Sequence, residues 1–253
     1  MSNSTHTESA LASESQPRDA AHWAHDVATL KLPPVPDGAI NLNVEGRRVL
    51  GPLQGFGQLW EKTYRVRLRG VAATPAQVVA MWKANFLAFA SPILHFYLPP
   101  SGFLPGGVAL INADVPGGMK VSTGVLVLYS DEESFSLMTP QGHMFAGWIT
   151  FSAYSEGNCA VAEAKVLIRA SDPLFEVVMR IGGSREEDKA WQGTLRALAA
   201  HFGVDEPVST RISCLDPGVQ WSRAGNIIYN AAIRSMLYTL ASPFRKRRKR
   251  AAR

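Results

Sequence analysis

The chain has 253 residues, 46% of them hydrophobic and 19% charged, with two cysteines. That supports one core of ordinary size and excludes a disulfide scaffold and a four-cysteine zinc site. The net charge of +5 is unevenly divided. Nine of the 26 Lys and Arg lie beyond Pro217, where there is no Asp or Glu, so residues 1–216 set 17 basic residues against 21 acidic ones. A nucleic-acid-binding domain spreads its positive charge over the fold, and this pattern does not.

There is no run of eighteen apolar residues, and the start of the chain has no cationic segment followed by an apolar one. A cytoplasmic location is therefore expected. Residues 1–50 read as a disordered or extended N-terminal arm. They are rich in Ser, Thr, Glu and Ala as far as a Pro-rich stretch at Leu32–Pro36. His22, His25 and Asp26 lie close together there, but two imidazoles without a second cluster make no metal site, and none is expected.

The folded part is expected to begin at Gly51. The glycine-rich Gly51–Gly57 leads into a strand rather than a helix, so it offers a phosphate no helix N-terminus and reads as a bulged entry. Residues 57–70 alternate as a strand containing Leu59, Lys62, Tyr64, Val66 and Leu68. Thr74-Pro75-Ala76-Gln77 is a capping box with proline at the first helical position. The helix it opens carries Val78, Val79, Trp82, Phe86 and Phe89 on one face and stops before Pro92.

Pro99, Pro100, Gly102, Pro105 and Gly106 follow, interleaved with Phe96, Tyr97, Phe103 and Leu104. This rigid apolar loop reads as a plug completing the core, with a lid over a cavity as the alternative. Strands are predicted at 108–114, 119–130, 134–139, 146–155 and 159–170. Turns at Pro116-Gly117-Gly118, Asp131-Glu132-Glu133, Gln141-Gly142-His143 and Glu156-Gly157-Asn158 make neighbouring strands antiparallel. A two-residue turn at Gly157-Asn158 sets the last register: Ile149 opposite Val166, Phe151 opposite Ala164, Ala153 opposite Ala162. The inner face of the last strand is then Ala160, Ala162, Ala164, Val166, Ile168 and Ala170, small enough for close helix packing or for a cavity. Glu163 and Lys165 fall on the outer face as ion-pair partners, and Cys159 reads as a small packed residue.

Asp172-Pro173 opens a short helical turn broken at Gly182-Gly183. A second capping box, Ser184-Arg185-Glu186-Glu187, is predicted to start a helix ending at Gly203 whose stripe is Trp191, Leu195, Leu198 and Phe202.

Strand, helix, five antiparallel strands and a long closing helix resemble the START-like helix-grip superfamily (also called SRPBCC), over roughly residues 51–203. The stretch Thr139–Tyr154, Thr-Pro-Gln-Gly-His-Met-Phe-Ala-Gly-Trp-Ile-Thr-Phe-Ser-Ala-Tyr, is similar to one in uncharacterised bacterial members. The resemblance implies an α+β helix-grip fold. A curved antiparallel sheet would wrap around the long C-terminal helix and enclose an apolar cavity. It implies no shared catalytic motif and no residue role.

Phosphate loops, a dinucleotide fingerprint, a serine elbow and a His-Glu-x-x-His zinc motif are all missing, and no cofactor is expected. The leading expectation is a noncatalytic binder or carrier of an apolar small molecule, lipid-like or polyketide-like. Its cavity walls are taken as Val125, Ile149, Phe151, Ala162, Ala164 and Trp191. The alternatives are a cyclase- or hydrolase-like enzyme using the same cavity, with His143 as proton carrier, and a tethered interaction module without a ligand.

Residues 204–253 read as a linker, an amphipathic helix over 221–244 and a polybasic end. An apolar face including Ile227 and Leu240, followed by Arg245, Lys246, Arg247, Arg248, Lys249 and Arg250, suits an anionic membrane surface. Packing of the helix back on the domain is an equal alternative, and nonspecific nucleic acid a weaker one.

Overall fold

The structure is a computed structural model that describes residues 20–25, 27–32, 34–115 and 119–241. Its strands and helices follow in chain order: β1 (Leu59–Leu68), α1 (Pro75–Ala84), α2 (Phe86–Phe89), β2 (Leu94–Tyr97), β3 (Val108–Val115), β4 (Met119–Ser130), β5 (Ser134–Met138), β6 (Phe145–Glu156), β7 (Cys159–Ala170), α3 (Pro173–Val178), α4 (Ser184–His201), β8 (Ser209–Asp216) and α5 (Ala231–Leu240). The strands form one open antiparallel sheet in the order β2-β3-β4-β5-β6-β7-β1-β8. The meander β3 to β7 follows from the short turns, and the expected β6–β7 register is the one observed. β1 joins beside β7 and so brings the start of the domain against its last hairpin.

Alternation along each strand creates two faces with different coverings. The inner face carries Tyr64, Val66, Ala109, Ile111, Val125, Phe135, Phe151, Ala162, Ala164 and Val166, all buried in one cluster with α1, α2 and α4. The capping box at Thr74 forms: its hydroxyl accepts from Gln77 N, and the Gln77 side chain accepts from Thr74 N. The helix does not run on to Pro92. The Asn85 amide donates to the Met81 carbonyl, competing with the backbone ladder, and the chain restarts as α2.

In the proline-rich loop, Leu94–Tyr97 forms the edge strand β2, and Phe103 is buried against Phe86 and Phe135. The plug reading therefore holds for Phe103, whereas Leu104 is exposed.

Three expectations are corrected. Residues 27–32 and 34–50 have no regular helix or strand, yet they are seated on the other face of the sheet. There Leu30 and Val44 are buried with Val108, Leu110 and Leu126, a small second core that lies within the supposed arm. Residues 209–216, read as linker, form β8, paired along β1. Its alternating Ser, Thr and Arg gave little apolar signal because both of its faces stay largely exposed. The single helix expected at 221–244 is two pieces, a 3-10 stretch at Trp221–Tyr229 and then α5.

The break between those pieces is Asn230, which has non-helical backbone (φ −48°, ψ 118°) and caps α5 by accepting from Ile233 N. Its amide also donates to Asp172 Oδ2, while Asp172 Oδ1 caps α3 by accepting from Leu174 N and Phe175 N. Both residues are fully buried, so two helix starts are tied through one hydrogen bond. α5 packs on β4, where Ser235 Oγ accepts from Ser122 N and so covers a stretch of β4 beyond the end of β5.

Candidate functional site

Of the expected cavity walls, Val125, Ile149, Phe151, Ala162 and Ala164 are buried together on the inner face, and half-buried Trp191 packs against them. The space over the alanine-rich strand is occupied by aromatic rings. Phe135 stacks on Phe151 at 4.8 Å, Trp82 meets Phe151 edge-on at 5.1 Å, and Trp191 reaches Phe151 from α4 at 5.7 Å. Small residues on β7 thus let α1 and α4 approach closely.

The sheet and helices part farther along β1 and β7. There a cavity of about 240 Å³ lies between the inner face and the helical segment 176–187. Trp60, Ile168, Ala170 and Met179 form its apolar walls, and none of the six expected residues lines it. Alternation places Trp60 and Lys62 on the inner face of β1, opposite Ile168 and Val166 of β7. The far wall comes from an irregularity in the helix. Met179–Gly183 is a single π-type turn with Gly182 at φ +142°, where side-chain-bearing residues are strained, and it joins α3 to α4.

Lys62 dominates the site's electrostatics. It is 1% exposed, and its Nζ donates to Ser184 Oγ at 2.9 Å, Glu187 Oε2 at 2.7 Å and Asp188 Oδ1 at 2.8 Å. Tyr64 donates its hydroxyl to the same Asp188 oxygen at 2.6 Å. This explains why the second predicted capping box does not form. Helical backbone already precedes Ser184, and its hydroxyl and the Glu187 carboxylate turn to the lysine instead. Burial raises the Glu187 pKa above the ordinary carboxylate range, with Lys62 opposing the shift. Burial and the neighbouring carboxylates raise that of Tyr64. Glu187 Oε1 is buried and has no hydrogen-bond partner. Arg169, also at the cavity, donates to Gly57 O and Gly218 O and pairs with Asp216, but its buried Nε has no acceptor. Arg180 pairs with Glu176 at 2.7 Å on the exposed side.

His143 lies away from this cavity, in the β5–β6 turn, where its Nδ1 accepts from Phe145 N at 3.0 Å. Some of its surface remains accessible, but protein surrounds the ring closely enough that burial pushes its pKa down to about 4. Outside that turn, Glu163 pairs with Arg65 and Lys165 with Glu61, both across to β1. His22 bonds the Ser130 carbonyl, and Asp26 lies outside the described residues. Ile227 and Leu240 are exposed, by 37% and 65%. Arg245, Lys246, Arg247, Arg248, Lys249 and Arg250 lie outside the described residues. Among the described residues no helix is long and apolar enough to cross a membrane. The missed site residues are Lys62, Glu187 and Asp188. A lysine on the apolar face of an otherwise well-patterned strand was the available signal.

In architecture the chain is a helix-grip protein: one long helix closes the inner face of an open antiparallel sheet, as the element order led one to expect. No family model matches it, and no curated protein matches it. Solved structures with a similar fold include the di-domain ARO/CYC StfQ from the steffimycin biosynthetic pathway. That match has 11% identity and a TM-score of 0.43, and covers 56% of this chain and 50% of that one, so the chain spans about half of that protein's length. Protein Ms6760 from Mycobacterium smegmatis matches at 13% identity and a TM-score of 0.41, over 62% of this chain and 96% of that one. Ara h 8.0201 matches at 12% identity and a TM-score of 0.42, over 57% and 97%.

Proposed function

We propose that the protein binds a small amphipathic molecule in the cavity between β1, β7 and the helical segment 176–187. The observation that carries this reading is a cavity with apolar walls from Trp60, Ile168, Ala170 and Met179 beside the charged cluster around Lys62. Its 240 Å³ is below the roughly 300–1,000 Å³ of ordinary ligand pockets, which favours a compact occupant over a lipid. A binder, rather than an enzyme, fits the neighbourhood: the lysine's three protons are all engaged, and His143 is elsewhere. Native mass spectrometry of protein taken directly from cells tests this. A bound mass is expected, and it should be lost in Met179→Trp, which fills the cavity from its half-buried helical wall. A Met179→Trp protein that keeps the mass would place the ligand elsewhere.

A second reading concerns the C-terminal segment. Trp221, Ile228, Leu237 and Leu240 are exposed by 75, 67, 57 and 65%, and the segment leads directly into the run Arg245–Arg250. We propose that this end of the molecule attaches to anionic membrane surfaces, where each Lys or Arg close to the surface contributes about 1 kcal/mol. The full chain should sediment with vesicles containing anionic lipid and leave neutral ones, and chain ending at Phe244 should lose most of that binding. Equal binding by both would exclude the tail as the anchor.

A further inference from the structure

Resting on the membrane reading of the C-terminal segment, we infer that the folded domain contributes a lipid-contact face of its own, which enters the apolar boundary of an anionic bilayer. Three elements form it: α3 with its π-type turn, the 3-10 turn Pro52–Gln54 and the 3-10 stretch Trp221–Tyr229. The argument begins with α3. A helix that covers a domain ordinarily turns its polar side to water. This segment does the reverse. Phe175 and Glu176 are buried, and Glu176 and Met179 line the cavity. Leu174, Val177 and Ile181, spaced i, i+3 and i+7, are instead exposed by 39, 54 and 79%.

The apolar face continues onto the two neighbours. The Asn226 amide donates to the carbonyls of Gln54 and Ser171, both at 2.8 Å, which ties the 3-10 stretch to the 3-10 turn and to the residue before the α3 cap. Trp221 meets buried Phe56 edge-on at 5.4 Å and leaves most of its own surface in water, as do Leu53 and Ile228. Exposed apolar side chains gathered from adjoining elements mark an interaction surface. Charge selects the partner. No carboxylate is exposed on these three elements, since Glu176 is buried and pairs with Arg180, and their other charged residue is Arg223. The chain then continues to Arg245–Arg250 with no acid after Asp216. An apolar face without exposed acids, leading into a basic run, is complementary to an anionic lipid surface.

The experiment is sedimentation of the full chain at pH 7 with phosphatidylserine-containing vesicles. Leu53→Ser, Val177→Ser and Ile181→Ser, combined in one variant, remove apolar surface at unchanged charge. Binding should weaken at least about tenfold, because interfacial binding scales with buried apolar area. Ile181→Ser alone should weaken it about threefold, and Leu104→Ser, equally apolar and exposed on the proline-rich loop, should stay within about twofold. All three proteins should melt with the wild type. Wild-type binding by the combined variant, with chain ending at Phe244 losing its binding, would overturn the face and leave the tail reading standing. The converse pattern would overturn the tail and keep the face. No binding of the full chain to these vesicles would overturn both. A combined variant that melts well below the wild type would show that this protein's own chain covers the face. One that instead lowers the mass measured by analytical ultracentrifugation would show that a second copy does. Either result would overturn the proposal.

Discussion

Lys62 is a fully buried charge held by two carboxylates. Removing one member of a buried ion pair leaves the other charged and dry, which costs about 3–5 kcal/mol. Lys62→Met should therefore lower unfolding free energy by that order in urea titration. The loss should shrink toward acid pH, where Glu187, whose pKa is already raised, takes up a proton. Lys62→Met with Glu187→Leu should recover much of it, since an apolar pair of similar size carries no desolvation penalty. His143 makes a second test at this scale. Its pKa falls from the usual 6.5 to about 4 on folding, so the unfolded chain binds the proton more readily between those values. Stability contributed by the neutral ring is full above about pH 6.5 and is lost as pH falls toward 4, at no more than about 1.4 kcal/mol per pH unit. Glu187, with its raised pKa, acts in the opposite sense, so the comparison with His143→Asn isolates the histidine. The wild type should lose stability relative to the variant across that window, and parallel curves would count against a buried neutral imidazole.

Among the elements, the helix starts matter more than their propensities. Ser184 and Glu187 have the spacing of a capping box and form none, because Lys62 holds both side chains. Asn230, by contrast, caps α5 and bonds Asp172, which itself caps α3. Asn230→Ala removes the cap and leaves the buried Asp172 Oδ2 with only the long 3.4 Å bond from the Ser171 hydroxyl, so a loss of about 1–3 kcal/mol is expected. Amide hydrogen exchange should quicken over 231–240 and at the first turn of α3, while β6 and β7 keep their protection. A change confined to α5 would mean that the Asn230–Asp172 bond transmits nothing. The same segment is pinned by Gly142, at φ +92°, whose carbonyl accepts from Ala231 N and whose missing Cβ leaves room for the Tyr229 carbonyl.

Over the whole molecule, one sheet is covered differently on its two faces. The inner face takes the helices, and the outer face takes residues 27–32, 34–50 and α5. α5 reaches β4 through Ala231 and Ser235, both buried, whereas Leu240 near its end is 65% exposed. Leu240→Asp should accordingly leave stability within about 0.5 kcal/mol by thermal melting. If the helix face enters the membrane interface, that substitution should nevertheless weaken binding to anionic vesicles. A large loss of stability would instead show that Leu240 packs on the domain.

The sequence by itself determined the meander, its β6–β7 register, the Thr74 capping box and the closing helix with its Trp191, Leu195, Leu198 stripe. These are local matters: turn residues, period-two and period-3.6 patterns, and hydrogen bonds three residues apart are all set within one short window. Only the tertiary structure decided what fills the inner face. Val125, Ile149, Phe151, Ala162 and Ala164 were legible as inward-facing, yet whether the room above small residues becomes a cavity or a helix contact depends on Trp82, Phe86 and Phe103 arriving from elsewhere in the chain. The candidate site was illegible for the same reason. Lys62 lies more than 120 positions before Glu187 and Asp188, and nothing local distinguishes an inward lysine that will find two carboxylates from a solvated one. β8 and the seat of Leu30 and Val44 likewise exist because the folded sheet offers β1 an unpaired edge and β3–β4 an uncovered face, which no short stretch of sequence encodes.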